Sequence, residues 1–127
     1  MKYVAVYGTL RRGHGNHRLM EGAECVAEGF FSLPYRMVSL SAFPGLVAAI
    51  EPHRVYLEVY EVDDSRLNRL DGLEGYRGDG HNNFYSRVNI PDLSINGQVV
   101  QVYVLDSSYN DHPQVDSGDW VAYRKGA

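Results

Sequence analysis

The chain has very little cysteine: Cys25 is the one thiol in 127 residues, so no intramolecular disulfide can form. Because disulfides mark oxidising compartments, we expect a protein of a reducing, cytoplasmic environment. Cys25 lies in the apolar context Ala-Glu-Cys-Val-Ala. This context favours a small buried side chain over a catalytic thiol.

Long apolar runs and basic clusters are missing as well. No apolar stretch approaches the roughly 18 residues of a membrane span. The strand-like segment after Lys2 does not have the pattern of a signal peptide. The formal net charge is −4, and Arg11-Arg12 is an isolated basic pair. We therefore expect neither nucleic acid nor a membrane among the partners.

The histidines do not form a pattern that is typical of a metal site. His14 and His17 are three residues apart, but no cysteine or third histidine supports them locally. Zinc or another metal is therefore not expected. We expect an activity that needs no cofactor.

The composition itself is that of an ordinary globular protein, with 44% hydrophobic and 22% charged residues. It predicts one domain over residues 1–127. Strand patterns dominate, and the clearest is Arg54–Val62, whose alternating faces are typical of a closed or strongly curved sheet. The expected strands are 2–7, 24–31, 35–40, 54–62, 84–90 and 98–105, with a hairpin turn at Asn96-Gly97.

Two segments are expected to be helical. Asn16 can cap a short helix that continues to Met20. Asp63-Asp64-Ser65 can cap a second helix of about two turns, which Gly72 is expected to end.

The first candidate for chemistry is Tyr7-Gly8-Thr9-Leu10, where the first strand ends abruptly at a glycine. Exposed backbone N–H groups in such a turn can hold an anion or a polarised carbonyl. An ordinary turn is the alternative, because a Gly-Thr pair after a strand usually has no other role.

The second candidate is Glu74 in Leu70-Asp71-Gly72-Leu73-Glu74-Gly75-Tyr76. Helix-terminal carbonyls and neighbouring apolar side chains would both raise the pKa of a glutamate there. Such a carboxyl can exchange protons near neutral pH, as a general base or acid. The alternative is a solvated loop glutamate.

In their order along the chain, four short segments resemble the gamma-glutamylcyclotransferase-like family. They resemble in particular the branch that includes gamma-glutamylamine cyclotransferases and AIG2-like proteins. The segments are Val6–Gly13, Gly15–His17, Leu70–Tyr76 and Tyr85–Val88. The resemblance implies an α+β fold with a closed or nearly closed mixed β-barrel and a few short helices.

The resemblance also implies a reaction and a site. Residues Tyr7–Leu10 would hold the glutamyl head of a small γ-glutamyl substrate, and Glu74 would transfer the protons. The substrate's own α-amine would attack its γ-carbonyl, which gives 5-oxoproline and a free amine. Tyr85 and Arg87 alternate on one strand and would both face the cavity, where Arg87 can pair with a substrate carboxylate.

Several alternatives remain open at this stage. Thr9 either binds the substrate or caps its own turn, and Arg87 either binds the substrate or forms a structural ion pair. Glu58 is a rival carboxylate, or else a buried glutamate bonded to a tyrosine. A binding module without turnover, or another lyase or acyltransferase acting on a γ-glutamyl-like metabolite, would use the same fold. Residues Arg77–Asn83 form a polar loop that is expected at the mouth of the pocket.

Overall fold

The computed structural model describes residues 1–126. Two 3-10 turns, His17–Met20 and Ser107–Tyr109, accompany five strands and two α-helices. The strands are β1 (Lys2–Val6), β2 (Glu24–Ser39), β3 (Pro44–Val62), β4 (Ser86–Ile95) and β5 (Gln98–Val104), and the helices are α1 (Asp64–Glu74) and α2 (Trp120–Gly126). Among the described residues, no helix combines the length and apolar character needed to cross a membrane.

The strands form one mixed sheet in the order β2-β3-β1-β5-β4. β1 is central, antiparallel to β3 and parallel to β5. The expected α+β class with few short helices is confirmed. The expected closure is not found, because within residues 1–126 the edge strands β2 and β4 share no ladder. β4 is an edge strand, and this position suits Pro91, which has no N–H to donate to a ladder. The β4–β5 register shifts beside this proline.

The core lies on both faces of the sheet, as the alternation along β1 shows. Tyr3 and Ala5 point into one buried cluster, which also holds Trp120 from α2. Val4 and Val6 point into the other, which also holds Leu70 from α1. β1 is held in place because both of its faces are buried. The Tyr7–Leu10 turn begins directly after its C-terminal end.

Several expected boundaries differ from the structure. β3 begins at Pro44 and not at Arg54, and β4 covers Ser86–Ile95 and not 84–90. The short helix expected from Asn16 is a 3-10 turn over His17–Met20. β2 is one continuous strand, with an irregularity between Leu33 and Tyr35, where two strands were expected. α1 does not end near Gly72. It continues to Glu74, because Gly75 adopts the left-handed conformation with φ 71°, and this conformation ends helices.

Candidate active site

A cavity of about 390 Å³ lies where the end of β1 meets the C-terminal end of α1. This volume is at the lower end of the range for small-molecule sites. Tyr7–Leu10, Glu74 and Tyr85 all line it, together with Asn16 and Tyr103. The cavity therefore unites residues that are far apart in the sequence.

The Tyr7–Leu10 turn is packed closely against the start of β3. A Cβ atom at Gly8 would lie 2.7 Å from both Cδ and Cγ of Pro44, so only glycine fits without a shift. Within residues 1–126, no protein oxygen accepts a hydrogen bond from the backbone N–H of Thr9 or Leu10. These two donors are free to bind an anionic or carbonyl oxygen of a ligand.

Asn16 is a lining residue whose role the sequence did not reveal. Its side chain makes no capping hydrogen bond to the following 3-10 turn. Its Nδ2 instead donates to Thr9 Oγ1 at 2.9 Å, and its backbone N–H donates to Thr9 O at 3.1 Å. Asn16 thus holds Thr9 in place, and no feature of the sequence distinguished this contact from a helix cap.

Glu74 is the last residue of α1 and lines the cavity. Its side chain is partly buried. This burial raises the pKa of Glu74 from 4.5 to about 7, because a charged carboxylate is poorly solvated there. In the described part of the chain, no hydrogen-bond donor reaches the Glu74 carboxyl. The group is therefore free to exchange protons with a ligand.

Three tyrosines surround this carboxyl with their hydroxyls already engaged. Tyr7 Oη donates to Tyr103 O at 2.7 Å, and Tyr85 Oη donates to Pro44 O at 2.6 Å. Tyr103 Oη donates to Asp71 Oδ1 at 2.6 Å. Burial raises the pKa of each phenol further above its usual value. The three tyrosines therefore remain neutral at physiological pH and shape the cavity. Among the described residues that line the cavity, Glu74 is the group whose pKa lies near neutral pH.

Arg87 was expected to face the cavity, but it does not line it. Its guanidinium forms an ion pair with Asp71 on α1, whose other oxygen accepts the Tyr103 hydroxyl. Tyr85 packs in the buried cluster that contains Leu70 of α1, and the longer Arg87 side chain reaches Asp71 on the same helix. The ion pair connects β4 to the last turn of α1, which carries Glu74.

The polar loop also differs from the expectation, since none of residues 77–83 lines the cavity. Asn83 closes the loop on itself: its Oδ1 accepts from Arg77 N at 2.7 Å and its Nδ2 donates to Gly78 O at 2.9 Å.

Among the described residues, no group of three or more His, Cys, Asp or Glu side chains is placed to hold a metal ion.

The fold and the site define an α+β protein with a small-molecule cavity between a backbone turn and a titratable carboxyl. A model of the family described as gamma-glutamyl cyclotransferase, AIG2-like, matches residues 4–122. The chain belongs to this family, which confirms the resemblance and the expected class of enzyme.

Individual relatives match along nearly the whole chain. A Methanocaldococcus jannaschii protein, provisionally named a gamma-glutamylcyclotransferase, is 30% identical over 98% of this chain and 99% of its own. The gamma-L-glutamyl-butirosin B gamma-glutamyl cyclotransferase of Niallia circulans is 30% identical over 98% of this chain and 78% of its own. The crystal structure of an uncharacterised Pyrococcus horikoshii protein has a TM-score of 0.76 at 25% identity, over 99% of this chain and 95% of that chain.

Proposed function

We propose that the protein is a gamma-glutamyl cyclotransferase that converts a γ-glutamyl amine, or a related γ-glutamyl compound, into 5-oxoproline and a free amine. The observation that carries the proposal is that Glu74 and the Tyr7–Leu10 turn line the same cavity. The Niallia relative supports it, because its name describes the removal of a γ-glutamyl group from butirosin.

The turn holds the glutamyl head of the substrate. The N–H groups of Thr9 and Leu10, which no protein oxygen among residues 1–126 accepts, donate to an oxygen of the substrate. Backbone donors that are fixed before binding stabilise negative charge without reorganising during the reaction. Tyr7 and Tyr85 close the sides of the cavity, and this favours the bent conformation that ring closure needs.

Glu74 moves the proton in both halves of the reaction. The α-amino group of a free glutamyl head has a pKa of about 8, so most of it is protonated at neutral pH. Ionised Glu74 accepts one proton from this ammonium group, and the neutral amine then attacks the γ-carbonyl, so that a new C–N bond forms. Glu74 donates that proton to the departing nitrogen as the original C–N bond breaks. The second proton of the attacking nitrogen passes to the freed amine, which leaves as an ammonium ion beside the neutral lactam. No water is consumed, and no nucleophile of the protein is needed.

Arg87 has an indirect part in this proposal. It neutralises Asp71 and thereby holds the last turn of α1 against β4 and Tyr103. It is a positioning residue for Glu74 and does not contact the substrate.

The test is the release of 5-oxoproline from a panel of γ-glutamyl amides by the wild-type protein and by Glu74→Gln. We expect kcat to fall about 10²–10⁴-fold in Glu74→Gln, while calorimetry still detects binding of the amides. Glu51→Gln, which alters an exposed glutamate outside the cavity, is the matched control and should keep full activity.

Equal turnover by wild type and Glu74→Gln would remove Glu74 from the mechanism. Binding of the amides by the wild-type protein without 5-oxoproline would identify a binding module instead of an enzyme.

A further inference from the structure

The cavity lining differs in character between its floor and its rim. The floor is formed by buried residues such as Tyr7, Gly8 and Tyr103. The rim is apolar and reaches solvent: Leu73 is 44% exposed and Phe84 is 40% exposed. Apolar side chains that are exposed beside a binding cavity mark a surface that a ligand can cover.

Phe84 is held firmly in its place on the rim. Its backbone N–H donates to Gly75 O at 3.0 Å, and a Cβ atom at Gly75 would lie 3.1 Å from Phe84 Cβ. Its ring packs edge-on against Phe43, with centroids 6.0 Å apart, and against Tyr109, with centroids 5.8 Å apart. Phe84 is therefore a fixed wall of the cavity.

This wall adjoins the carboxyl that protonates the departing nitrogen. Leu73 directly precedes Glu74, and Tyr85, which directly follows Phe84, donates its N–H to Glu74 O at 3.2 Å. If the glutamyl head lies on the floor at the Tyr7–Leu10 turn, the departing amine would extend past Glu74 towards the rim, and its substituent would contact Leu73 and Phe84.

The rim offers little to a charged substituent. Among the described residues that line the cavity, Glu74 is the sole side chain with a formal charge. None of residues 77–83 lines the cavity, and the exposed Asp79 of this loop accepts a hydrogen bond from Tyr76 Oη at 3.1 Å. A carboxylate group on the amine would lose water at the rim and face the charge of Glu74, and an ammonium group would find only Glu74, whose carboxyl is already engaged in proton transfer. Burial of either charged group is therefore costly.

We propose that the preferred substrates are γ-glutamyl amides whose amine carries an uncharged alkyl or aryl substituent, selected by Leu73 and Phe84. The selection rests on the proposed cyclotransferase function. A difference of one apolar group in such a pocket changes specificity about 10–200-fold.

The test uses three γ-L-glutamyl amides of similar length, made from n-butylamine, 1,4-diaminobutane and 4-aminobutyric acid. Their outer ends are neutral, cationic and anionic. We expect kcat/KM for the butylamide to exceed that for each charged amide at least about tenfold. Calorimetry with Glu74→Gln, whose slow turnover leaves time to measure binding, is expected to give the same order of affinity.

Two variants locate the source of the preference. Phe84→Ser should reduce the preference for the butylamide towards unity. Phe30→Ser removes a ring that is similarly exposed, at 44%, but lies outside the cavity, and it should leave the preference unchanged. Circular dichroism would establish that both variants fold, and Leu73→Gln serves in place of Phe84→Ser if that variant does not.

Equal or reversed preference among the three amides in the wild-type protein would overturn the selection while leaving 5-oxoproline release, and thus the proposed function, intact. The same holds if the preference survives both Phe84→Ser and Leu73→Gln. Preferential binding of the butylamide without any 5-oxoproline would instead support the apolar rim and overturn the cyclotransferase function. Failure of all three amides to bind would overturn both.

Discussion

The backbone N–H of Arg12 donates to Glu58 Oε1 at 3.1 Å, so a buried carboxylate of β3 anchors the segment that follows the Tyr7–Leu10 turn. The Arg11 guanidinium contacts the other carboxylate oxygen at 3.3 Å, and Tyr60 Oη donates to Oε1 at 2.7 Å. Glu58 is 3% exposed and Arg11 is 7% exposed. None of these residues lines the cavity, so the cluster holds the segment after the turn from outside the cavity.

We expect Glu58→Gln to destabilise the protein by up to about 3 kcal/mol, because it removes one of the two carboxylates that pair with the buried Arg11, the other being Asp119. Urea denaturation at neutral pH measures this loss. The matched control is Glu28→Gln, which removes an ion pair with Arg12 whose two side chains are 36% and 47% exposed. An exposed pair contributes less than about 1 kcal/mol. Equal losses in the two variants would show that burial of the Glu58 cluster contributes nothing.

The raised pKa of Glu74 predicts the pH dependence of the reaction. A general base acts in its ionised form, so kcat/KM for a γ-glutamyl amide should rise with pH and bend near about 7. The bend should keep its position when the amine part of the substrate is changed, and it should vanish from the residual activity of Glu74→Gln. A bend at pH 4 to 5 would instead indicate an ordinary, solvated glutamate.

The same pKa predicts that Glu74 lowers the stability of the fold at high pH. Its pKa is about 7 in the folded protein and about 4.5 in the unfolded chain, so the folded state holds the proton more tightly. Below pH 4.5 both states are protonated and the effect is absent. Above pH 7 both are ionised, and the charge costs up to about 3 kcal/mol.

Glu74→Gln should therefore be more stable than the wild type at pH 8, and this difference should disappear at pH 4. Urea denaturation at both pH values measures it. Glu51→Gln, at an exposed position, should follow the wild type throughout. A Glu74→Gln difference that is constant with pH would exclude titration of this carboxyl as its cause.

Local patterns predicted much of the sheet, and the predicted site residues Tyr7–Leu10, Glu74 and Tyr85 are among those that line the cavity. Asn96-Gly97 forms the expected hairpin, with φ of 53° and 75°, because two consecutive positive φ angles demand such residues. The end of α1 was not predictable in this way. Gly72 and Gly75 are both suitable helix terminators, and the choice of Gly75 is accompanied by the hydrogen bond from Phe84 N to Gly75 O, a contact between segments.

The position of Arg87 shows the same limitation. Alternation along a strand correctly separates the two faces of a sheet, but it does not specify which partner a long side chain reaches. The partner is Asp71, which is brought to β4 by the packing of α1. The side chain of Asp71 is 16% exposed and that of Arg87 is 19% exposed. This partial burial strengthens the ion pair between them.

A double-mutant cycle on this pair tests the indirect role of Arg87. We expect Arg87→Gln and Asp71→Asn each to lower stability, with a coupling free energy of about 1 kcal/mol or more between them. Because neither residue lines the cavity, both variants should affect kcat more than KM, through the position of Glu74. A rise in KM that is confined to Arg87→Gln would show instead that its guanidinium binds the substrate directly.

Gly8 is the position where the shape of the backbone turn can be tested with a single methyl group. Gly8→Ala places a Cβ atom 2.7 Å from two ring carbons of Pro44, so the turn or β3 must shift and the N–H groups of Thr9 and Leu10 move with it. A displacement of about 1 Å in a positioned group can cost about 10²-fold in rate, and we expect a loss of that order in kcat/KM for 5-oxoproline release. Gly15→Ala is the control in the same loop, since a Cβ there meets nothing within 4 Å, and it should retain wild-type activity. Full activity of Gly8→Ala would show that the close packing of the turn against Pro44 is not needed for binding the glutamyl head.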